Sequence, residues 1–309
     1  MFRFLGVRFL EGLVAVFLAS IVVFVLARST GNPAVLMLPL TATRAEVEAM
    51  SRRLGTDRPL AEQYARFVAR AAVGDFGHSI RYRLPVLELV GQRLPASFTL
   101  AGLAMVAAGV LAAGLGLASA LSRSRLTDGL LRAIGILGIS VPSFWLSIVL
   151  IWVFGVHFKV LPTSGSGGLR YMILPATALS LYVMGGMARL LRSNLSEVLQ
   201  SPYIRAAHAR GLSTRTIIVR HVMRNALAPV LAFAGVQFPL LISSAVVVET
   251  VFAWPGLGRL AFEAVVARDF PVIQGVTLVG SALVVCTSLV ADMLHAMADP
   301  RVTARLLRG

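Results

Sequence analysis

The chain has 309 residues, of which 57% are hydrophobic and 14% are charged, and its mean hydropathy is +0.81. This balance excludes an ordinary soluble domain and indicates a protein that crosses a membrane several times. The net charge of +15 would suit nucleic acid in a soluble chain, but in a membrane protein arginines hold loops in the cytoplasm, so we expect lipids and not nucleic acid as partners. A single cysteine, Cys286, excludes an internal disulfide.

The N-terminal third predicts one membrane span followed by a polar loop. Arg3 and Arg8 precede an apolar run at about 12–27. A signal peptide has the same order, but this run is long and lacks a clean small-x-small cleavage site, so we interpret residues 1–30 as an uncleaved transmembrane helix. Residues 31–95 are polar enough to form an outer, periplasmic loop.

Two helical patterns lie in that loop, at 44–54 and 60–73. The second places Tyr64, Phe67 and Val68 on one side, which predicts an amphipathic helix lying on a membrane or on a partner. The arginines of this loop do not contradict an outer position, because a loop this long is translocated largely regardless of charge.

Five further apolar runs predict five more spans, since each is near the ~20 residues that cross ~30 Å of hydrocarbon. They lie at about 97–121, 133–158, 172–191, 230–251 and 272–297. The predicted fold class is an all-α integral membrane protein with six transmembrane helices, a core at 96–298 and a cytoplasmic tail at 299–309. Counting from an N-terminus in the cytoplasm places 193–229 and the C-terminus there too.

The basic residues of the short loops support this orientation. The predicted outer loops hold only Lys159, Arg170, Arg259 and Arg268. The predicted inner segments hold Arg123, Arg125, Arg132, Arg189, Arg192, Arg205, Arg210, Arg215, Arg220, Arg224, Arg301, Arg305 and Arg308.

A basic segment at 201–229, SPYIRAAHARGLSTRTIIVRHVMRNALAP, separates two of the apolar runs. Ser201 and Pro202 predict a helix start, because serine oxygen caps free N–H groups and proline fits the first helical position. Small alanines follow, and Gly211 can supply the left-handed residue that ends this helix. Ser213 then predicts the cap of a second helix.

The second helix carries an apolar stripe and two arginines. Ile217, Ile218 and Val222 form the stripe, while Arg220 and Arg224 lie one turn apart. Like charges at this spacing mildly destabilise a lone helix. An anionic partner is therefore expected, either lipid headgroups or an acidic protein surface; an ordinary solvated helix pair is the plainer interpretation.

An outer turn is predicted after the fifth span, in VVVETVFAWPGLGRL. Glu249 lies near the predicted membrane boundary, and Trp254, Pro255, Gly256 and Gly258 are typical of a tight turn anchored by an interfacial aromatic residue.

The third span contains GISVPSFWLS, in which Pro142 removes one backbone hydrogen bond. Ser140, Ser143 and Ser147 can bind carbonyls that such a kink frees. The kink is either part of a translocation path, for which Ser140, Pro142 and Ser143 are the candidates, or a tolerated bend in a packed bundle.

Asp292 is an ionisable residue in the last predicted span, close to its cytoplasmic end. A proton relay would need such a group, but its position favours an interfacial carboxylate paired with an arginine. No catalytic centre is evident: the only lysine, Lys159, follows Phe158, so no phosphate-binding loop exists, and no metal or cofactor pattern is present.

These motifs resemble a known family. YIRAAHARGL followed by RHVMRNALAP is similar to the cytoplasmic "EAA" loop of type I ABC-transporter permeases, in the first-permease (B-type) branch for dipeptides, oligopeptides and nickel. MFRFLGVRFLEGLVAVF, LGTDRPLAEQYARFV and ETVFAWPGLGRL resemble the same branch. Arg205 stands where the name-giving glutamate would be, and Pro229 lies further from Gly211, as is usual in this branch.

The resemblance covers nearly the whole chain up to Asp299. It implies a non-catalytic permease without cofactors that forms half of a pathway for dipeptides or oligopeptides in a bacterial inner membrane. The implied partners are a homologous second permease, two ATP-binding subunits and a secreted or lipid-anchored substrate-binding protein. The residues implied in ATPase coupling are Tyr203, Arg205, Ala206, Ala207 and Gly211. The turn at Glu249–Gly258 is implied in the face that receives the binding protein.

Two other classes remain open. An ion-gradient carrier needs ionisable groups or broken helices near the bilayer midplane, and the spans offer little beyond Asp292. The basic helix pair also has no obvious use in such a carrier. A membrane scaffold that moves nothing fits the matched motifs poorly. Nickel or another small solute remains an alternative cargo for the importer.

Overall fold

A computed structural model describes residues 2–29, 35, 38, 41–122, 124–213 and 216–298, with the side chains of 2–5, 53–54, 208, 221, 224 and 294–298 left outside the description. Within these ranges the chain is helical, with no β-strand and one isolated bridge between His78 and Pro85. The predicted tail at 299–309 falls outside the described residues, as do Arg123 and Arg215.

The helices follow one another with short connections. They are α1 (Phe2–Ser29), α2 (Arg44–Leu54), α3 (Leu60–Ala72), α4 (Val86–Leu121), α5 (Arg125–Ser140), α6 (Ser143–Leu150, continued by a π-helix at Ile151–His157), α7 (Leu169–Leu199), α8 (Pro202–Ala209), a π-helix at Ile217–Val222, α9 (Met223–Val251), α10 (Leu257–Val266) and α11 (Phe270–Ala298).

Five helices, α1, α4, α7, α9 and α11, are long and apolar enough to cross a membrane. A sixth span results if α5 and α6, which meet at 104°, are counted together. The prediction of an all-helical membrane protein with six spans is confirmed in this sense. The chain alternates between two ends of the bundle, which we call the α8 end and the α10 end after the short helices that lie there.

Helix α4 begins earlier than predicted, at Val86 and not near Ser97. Pro95 therefore lies inside a helix, where the Thr99 hydroxyl donates to the Pro95 carbonyl at 2.6 Å. The prediction used this proline as the end of the loop, but membrane helices tolerate proline when nearby hydroxyls bind backbone carbonyls. The loop predicted to be outer, which we call the first outer loop after that prediction, thus ends at Pro85.

The main core lies between α4, α7 and α9. Small buried residues repeat along α4, and they face buried Leu179, Val183, Met187 and Leu191 on α7. A Cβ on Gly116 would lie 3.1 Å from the Ala188 carbonyl. Small residues allow helix backbones to approach closely in a membrane protein, so α4 and α7 form the tightly packed centre.

A second core joins α4 to α10 and α11 at the α10 end. Val86, Leu89 and Val90 of α4 contact residues of α10 and α11 there. A Cβ on Gly275 would lie 2.4 Å from Val86 Cγ1. The end of the first outer loop is therefore docked on the two C-terminal helices.

Helix α1 lies apart from the main core and contacts α3 and α11. The Ser20 hydroxyl hydrogen-bonds the Tyr64 hydroxyl at 2.8 Å, and the Phe24 ring stacks on Phe67 with a centroid distance of 5.7 Å. The aromatic side predicted for α3 therefore covers α1. The predicted pairing of Asp292 is also confirmed, because Arg8 Nε lies 3.3 Å from Asp292 Oδ2.

Candidate functional site

Helix α8 is a short helix between α7 and the π-helix. Its first N–H groups are bound by the Ser201 carbonyl, which accepts from Ile204 at 3.2 Å and Arg205 at 3.3 Å. The Ser201 hydroxyl, predicted to cap this helix, instead donates to the Val198 carbonyl at 2.5 Å, because it lies in the turn that closes α7. Gly211 has a φ of +76°, which confirms the left-handed residue predicted after α8.

One side of α8 is anchored and the other is exposed. Ile204 is buried in the main core, and the Tyr203 hydroxyl accepts a hydrogen bond from Asn225 Nδ2 at 2.9 Å. Arg205 and Ala206 are exposed, whereas Ala207 is half-buried. Four of the predicted coupling residues therefore lie on α8 and Gly211 follows it, and all but Ala207 are exposed.

The second helix of the basic segment is continuous with the fifth span. Ser213 caps it as predicted, since its hydroxyl accepts from the Thr216 N–H at 3.3 Å. Ile217 and Val222 are fully buried, which confirms the apolar stripe, and Arg220 is exposed. The π-helix then runs directly into α9, so the helix near α8 extends without interruption to Val251. The second helix was predicted correctly, but the fifth span was predicted to start at about 230; the helix is continuous across that point because Pro229 is accommodated inside α9.

At the opposite end of α9, Glu249 forms a buried polar junction. We define the Glu249 junction as Ser97 of α4, Glu249 of α9 and residues 254–259 at the start of α10. Glu249 is 0% exposed; its Oε1 accepts from the Ser97 hydroxyl at 2.6 Å and its Oε2 from the Arg259 N–H at 3.1 Å. The Ser97 oxygen accepts from the Leu257 N–H at 2.8 Å. A carboxylate stabilises a helix N-terminus, because the first N–H groups have no partner within the helix.

The turn beside Glu249 has glycines at two positions where a side chain would not fit. A Cβ on Gly256 would lie 2.3 Å from the carboxyl atoms of Glu249, and one on Gly258 would lie 2.5 Å from Val246 Cα. Trp254, predicted to anchor this turn, is buried within the protein, and its Nε1 donates to the Ala96 carbonyl at 3.0 Å. The ring anchors the turn to α4, because its N–H needs a partner once the ring is buried. Pro255, in the same turn, is half-buried.

Sequence reasoning missed the residues that bind the first outer loop to α10. The Tyr82 hydroxyl donates to Glu263 Oε2 at 2.7 Å, and the Ser79 hydroxyl donates to Asp269 Oδ2 at 2.5 Å. Burial acts to raise the pKa of Glu263, but the Tyr82 hydroxyl and the Arg259 guanidinium outweigh it and hold that pKa below its ordinary value. The partners are far apart in the chain, so no local spacing could have indicated these contacts.

The predicted kink at Pro142 is a complete break. Ser140 donates to the Ile136 carbonyl at 3.0 Å and Ser147 to the Ser143 carbonyl at 2.7 Å, so two of the three serines bind backbone oxygens as predicted. Ser140 and Pro142 are exposed and Ser143 is half-buried. Their place in a translocation path stays a prediction.

No group of histidine, cysteine, aspartate or glutamate residues suited to a metal ion occurs in the part of the chain that the structure describes. The described residues interact by packing, hydrogen bonding and charge. The arrangement links an exposed basic element at one end of α9 to a buried polar junction at the other.

Comparison with known proteins places this architecture. Residues 94–304 match the family "Binding-protein-dependent transport system inner membrane component", and residues 1–101 match the N-terminal region of such membrane components. The glutathione transport system permease protein GsiC of Escherichia coli (strain K12) is 37% identical over 298 residues, covering 96% of this chain and 97% of that protein. GsiC of Shigella flexneri serotype 5b has the same identity and coverage.

Solved structures share the fold. The MetNI methionine ABC transporter in an inward-facing conformation aligns with a TM-score of 0.58 at 16% identity, over 68% of this chain and 96% of that chain. An amino acid ABC transporter solved with histidines aligns with a TM-score of 0.52 at 17% identity, over 69% and 94%.

Membership of this family excludes the two classes left open above, an ion-gradient carrier and a passive scaffold. In this family the permease is generally non-catalytic, ATP is hydrolysed by partner subunits, and a partner permease and a substrate-binding protein complete the importer. The chain belongs to the binding-protein-dependent transport system inner membrane component family and is a multi-pass inner-membrane permease of a bacterial ABC importer.

Proposed function

We propose that the chain forms one half of a translocation pathway for short peptides, beside a homologous but different second permease. The observation that supports a peptide cargo is the 37% identity, over nearly the full length of both chains, to a permease named for the transport of glutathione, itself a peptide. Two ATP-binding subunits and a secreted or lipid-anchored binding protein would complete this importer.

The coupling surface of this proposal is the exposed side of α8, with Tyr203, Arg205, Ala206, Ala207 and Gly211, which we place on the cytoplasmic side. The support is its construction: Ile204 and the Tyr203–Asn225 hydrogen bond hold the helix to the protein while Arg205 and Ala206 stay exposed. A docked ATPase would move α8 and, through the continuous helix to Val251, the Glu249 junction. The outer turn at Trp254–Gly258 would then respond on the side that receives the binding protein, as the pathway changes between two states.

The coupling assignment is tested by Gly211→Val in the assembled importer. A Cβ at Gly211 meets nothing within 4 Å, but the φ of +76° strains a β-branched residue, so the change distorts the chain after α8 without a clash. We expect peptide uptake to be lost while the permease remains in the membrane. Gly129→Val is the matched control, since its Cβ also meets open space and its backbone is helical.

A second pair of variants separates docking from folding. Ala206→Glu places an acid on the exposed side of α8 and should abolish uptake and ATPase co-purification. Ala207→Glu should also abolish both. Because Ala207 packs against the main core, that variant should destabilise the fold as well. Unchanged uptake in both Gly211→Val and Ala206→Glu would contradict the assignment.

The cargo is tested with the binding protein encoded beside this permease. We expect it to bind glutathione or another short peptide, and uptake of the same peptide to require the permease. Binding of nickel or a sugar with no peptide affinity would replace the peptide proposal and leave the family membership intact.

A further inference from the structure

A cluster of charged residues at the α8 end joins three spanning helices. Arg192 of α7 binds Asp128 of α5 with two hydrogen bonds, from Nε to Oδ1 at 2.9 Å and from Nη2 to Oδ2 at 2.8 Å. Ser119 of α4 donates to the same carboxylate, and Arg132 Nη2 lies 3.1 Å from it. Such bidentate pairing holds the guanidinium in one orientation.

This cluster borders a cavity of about 120 Å³ between α4, α5 and α7. Its polar end is lined by Ser119, Arg132, Arg189 and Arg192. Three arginines against the single acid Asp128 leave this end with two positive charges. No ion pair of Arg189 is found among the described residues, and its side chain is exposed. The polar end therefore suits an anion.

The rest of the cavity is apolar and lies deeper along the same helices. It is lined by Leu115, Leu131, Gly135, Ile136, Gly185 and Ala188. Its floor is the crossing of α5 and α7, where a Cβ on Gly185 would lie 2.2 Å from the Gly135 carbonyl. Along α7 the order from the helix end inward is Arg192, Arg189, Ala188, Gly185, so the lining changes from cationic to apolar over two turns.

We propose that this cavity binds one anionic phospholipid, with its phosphate at Arg132, Arg189 and Arg192 and part of one acyl chain against Ile136 and Ala188. A free anion would use only the polar end, whereas an amphiphile uses both. Basic pockets between spanning helices bind anionic headgroups, and the cytoplasmic leaflet supplies anionic lipid. Only the choice of leaflet depends on the orientation proposed above; the binding itself does not.

The test is lipid binding to the purified, assembled importer in detergent, measured by native mass spectrometry. The probes are dioleoyl-phosphatidylglycerol, dioleoyl-phosphatidylcholine and glycerol phosphate. We expect one phosphatidylglycerol to be retained in preference to phosphatidylcholine, and glycerol phosphate not to displace it. Arg189→Gln should weaken phosphatidylglycerol binding about five-fold, the effect of one arginine near an anionic lipid.

Arg125→Gln is the matched control, because it removes one exposed arginine at the same end that does not line the cavity. Arg189→Lys should restore most of the binding. Ile136→Trp, a change at an exposed position on the apolar wall, should weaken lipid binding and leave thermal stability unchanged.

Several outcomes would overturn the proposal. Equal retention of both lipids, or equal losses in Arg189→Gln and Arg125→Gln, would show that no specific headgroup site exists. Displacement by glycerol phosphate would indicate a site for soluble anions, and displacement by glutathione would indicate a cargo exit. Each result is independent of the coupling test at Gly211, so the two proposals can fail separately.

Discussion

The two ends of α9 are built in opposite ways. In the Glu249 junction the side chains of Glu249 and Ser97 are fully buried, and both carboxylate oxygens accept hydrogen bonds. Glycines are required there because no Cβ would fit. At α8 two anchors hold a short helix whose remaining surface is exposed, and Gly211 is required for its backbone angle and not for space. The comparison shows that two family motifs can have different physical causes. The motif at Glu249–Gly258 serves packing within the chain, whereas the motif around α8 leaves a surface for a partner.

Gly256→Ala should cause the largest loss of stability, because it tests the tightly packed end of α9. The new Cβ would lie 2.3 Å from the Glu249 carboxyl atoms, so the carboxylate must leave the site where it binds Ser97 and Arg259. Overpacking and the lost hydrogen bonds together should cost about 3 kcal/mol. Thermal unfolding of the detergent-purified protein would measure the loss. Gly91→Ala, at a helical glycine with open space, should be neutral or slightly stabilising, and equal losses in the two variants would contradict the packing argument.

Glu249→Ala should have the next largest effect, about 2 kcal/mol. It leaves the Ser97 hydroxyl and the Arg259 N–H without their acceptor in a buried site. Glu249→Gln should lose less, because its amide oxygen can still accept one of these bonds. The same unfolding measurement ranks the three proteins, and a glutamine variant less stable than the alanine variant would contradict the hydrogen-bond account.

Tyr82→Phe tests the docking of the first outer loop beside this junction. Removing the hydroxyl that donates to Glu263 should cost about 1 kcal/mol at neutral pH. The pKa of Glu263 lies below its ordinary value of 4.5, so stability from its ionised form is present above that value and is lost as the pH falls through the lowered pKa. Unfolding curves of wild type and variant should therefore converge in acid. A gap that widens as the pH falls would contradict the sign.

Arg205→Glu should change stability least, by less than about 0.5 kcal/mol, because Arg205 is exposed and forms part of the surface of α8. Uptake by the assembled importer should nevertheless fall severely, since the charge of the proposed ATPase contact is reversed. Arg66→Glu, at an exposed position of α3 that pairs with Glu62, is the control for a charge reversal away from α8. A large loss of stability with normal uptake would show that Arg205 serves packing within the chain, as Glu249 does, and not binding of the ATPase. The two ends of α9 would then not differ as described.

Much of the fold could be predicted because membrane spans are decided locally. Apolar runs near 20 residues indicated the spans, Gly211 indicated the end of α8, and Ser213 indicated the start of the following helix. Boundaries set by proline were predicted less well: α4 passes through Pro95 and α9 through Pro229, whereas the chain breaks completely at Pro142. A proline can therefore lie within a helix or end one, because neighbouring helices decide whether the backbone groups that it frees find hydrogen-bond partners.

The sequence by itself determined the helical class, the approximate spans, the basic segment and the family, since each depends on composition or on a contiguous motif. Only the tertiary structure decided that Glu249 is a buried acceptor for Ser97, that Trp254 donates to a carbonyl of α4, and that Asp128 pairs with arginines of two helices. The physical reason is distance along the chain: a hydrogen bond or a close approach acts over a few ångströms in space, and helix packing alone chooses which distant residues come that near.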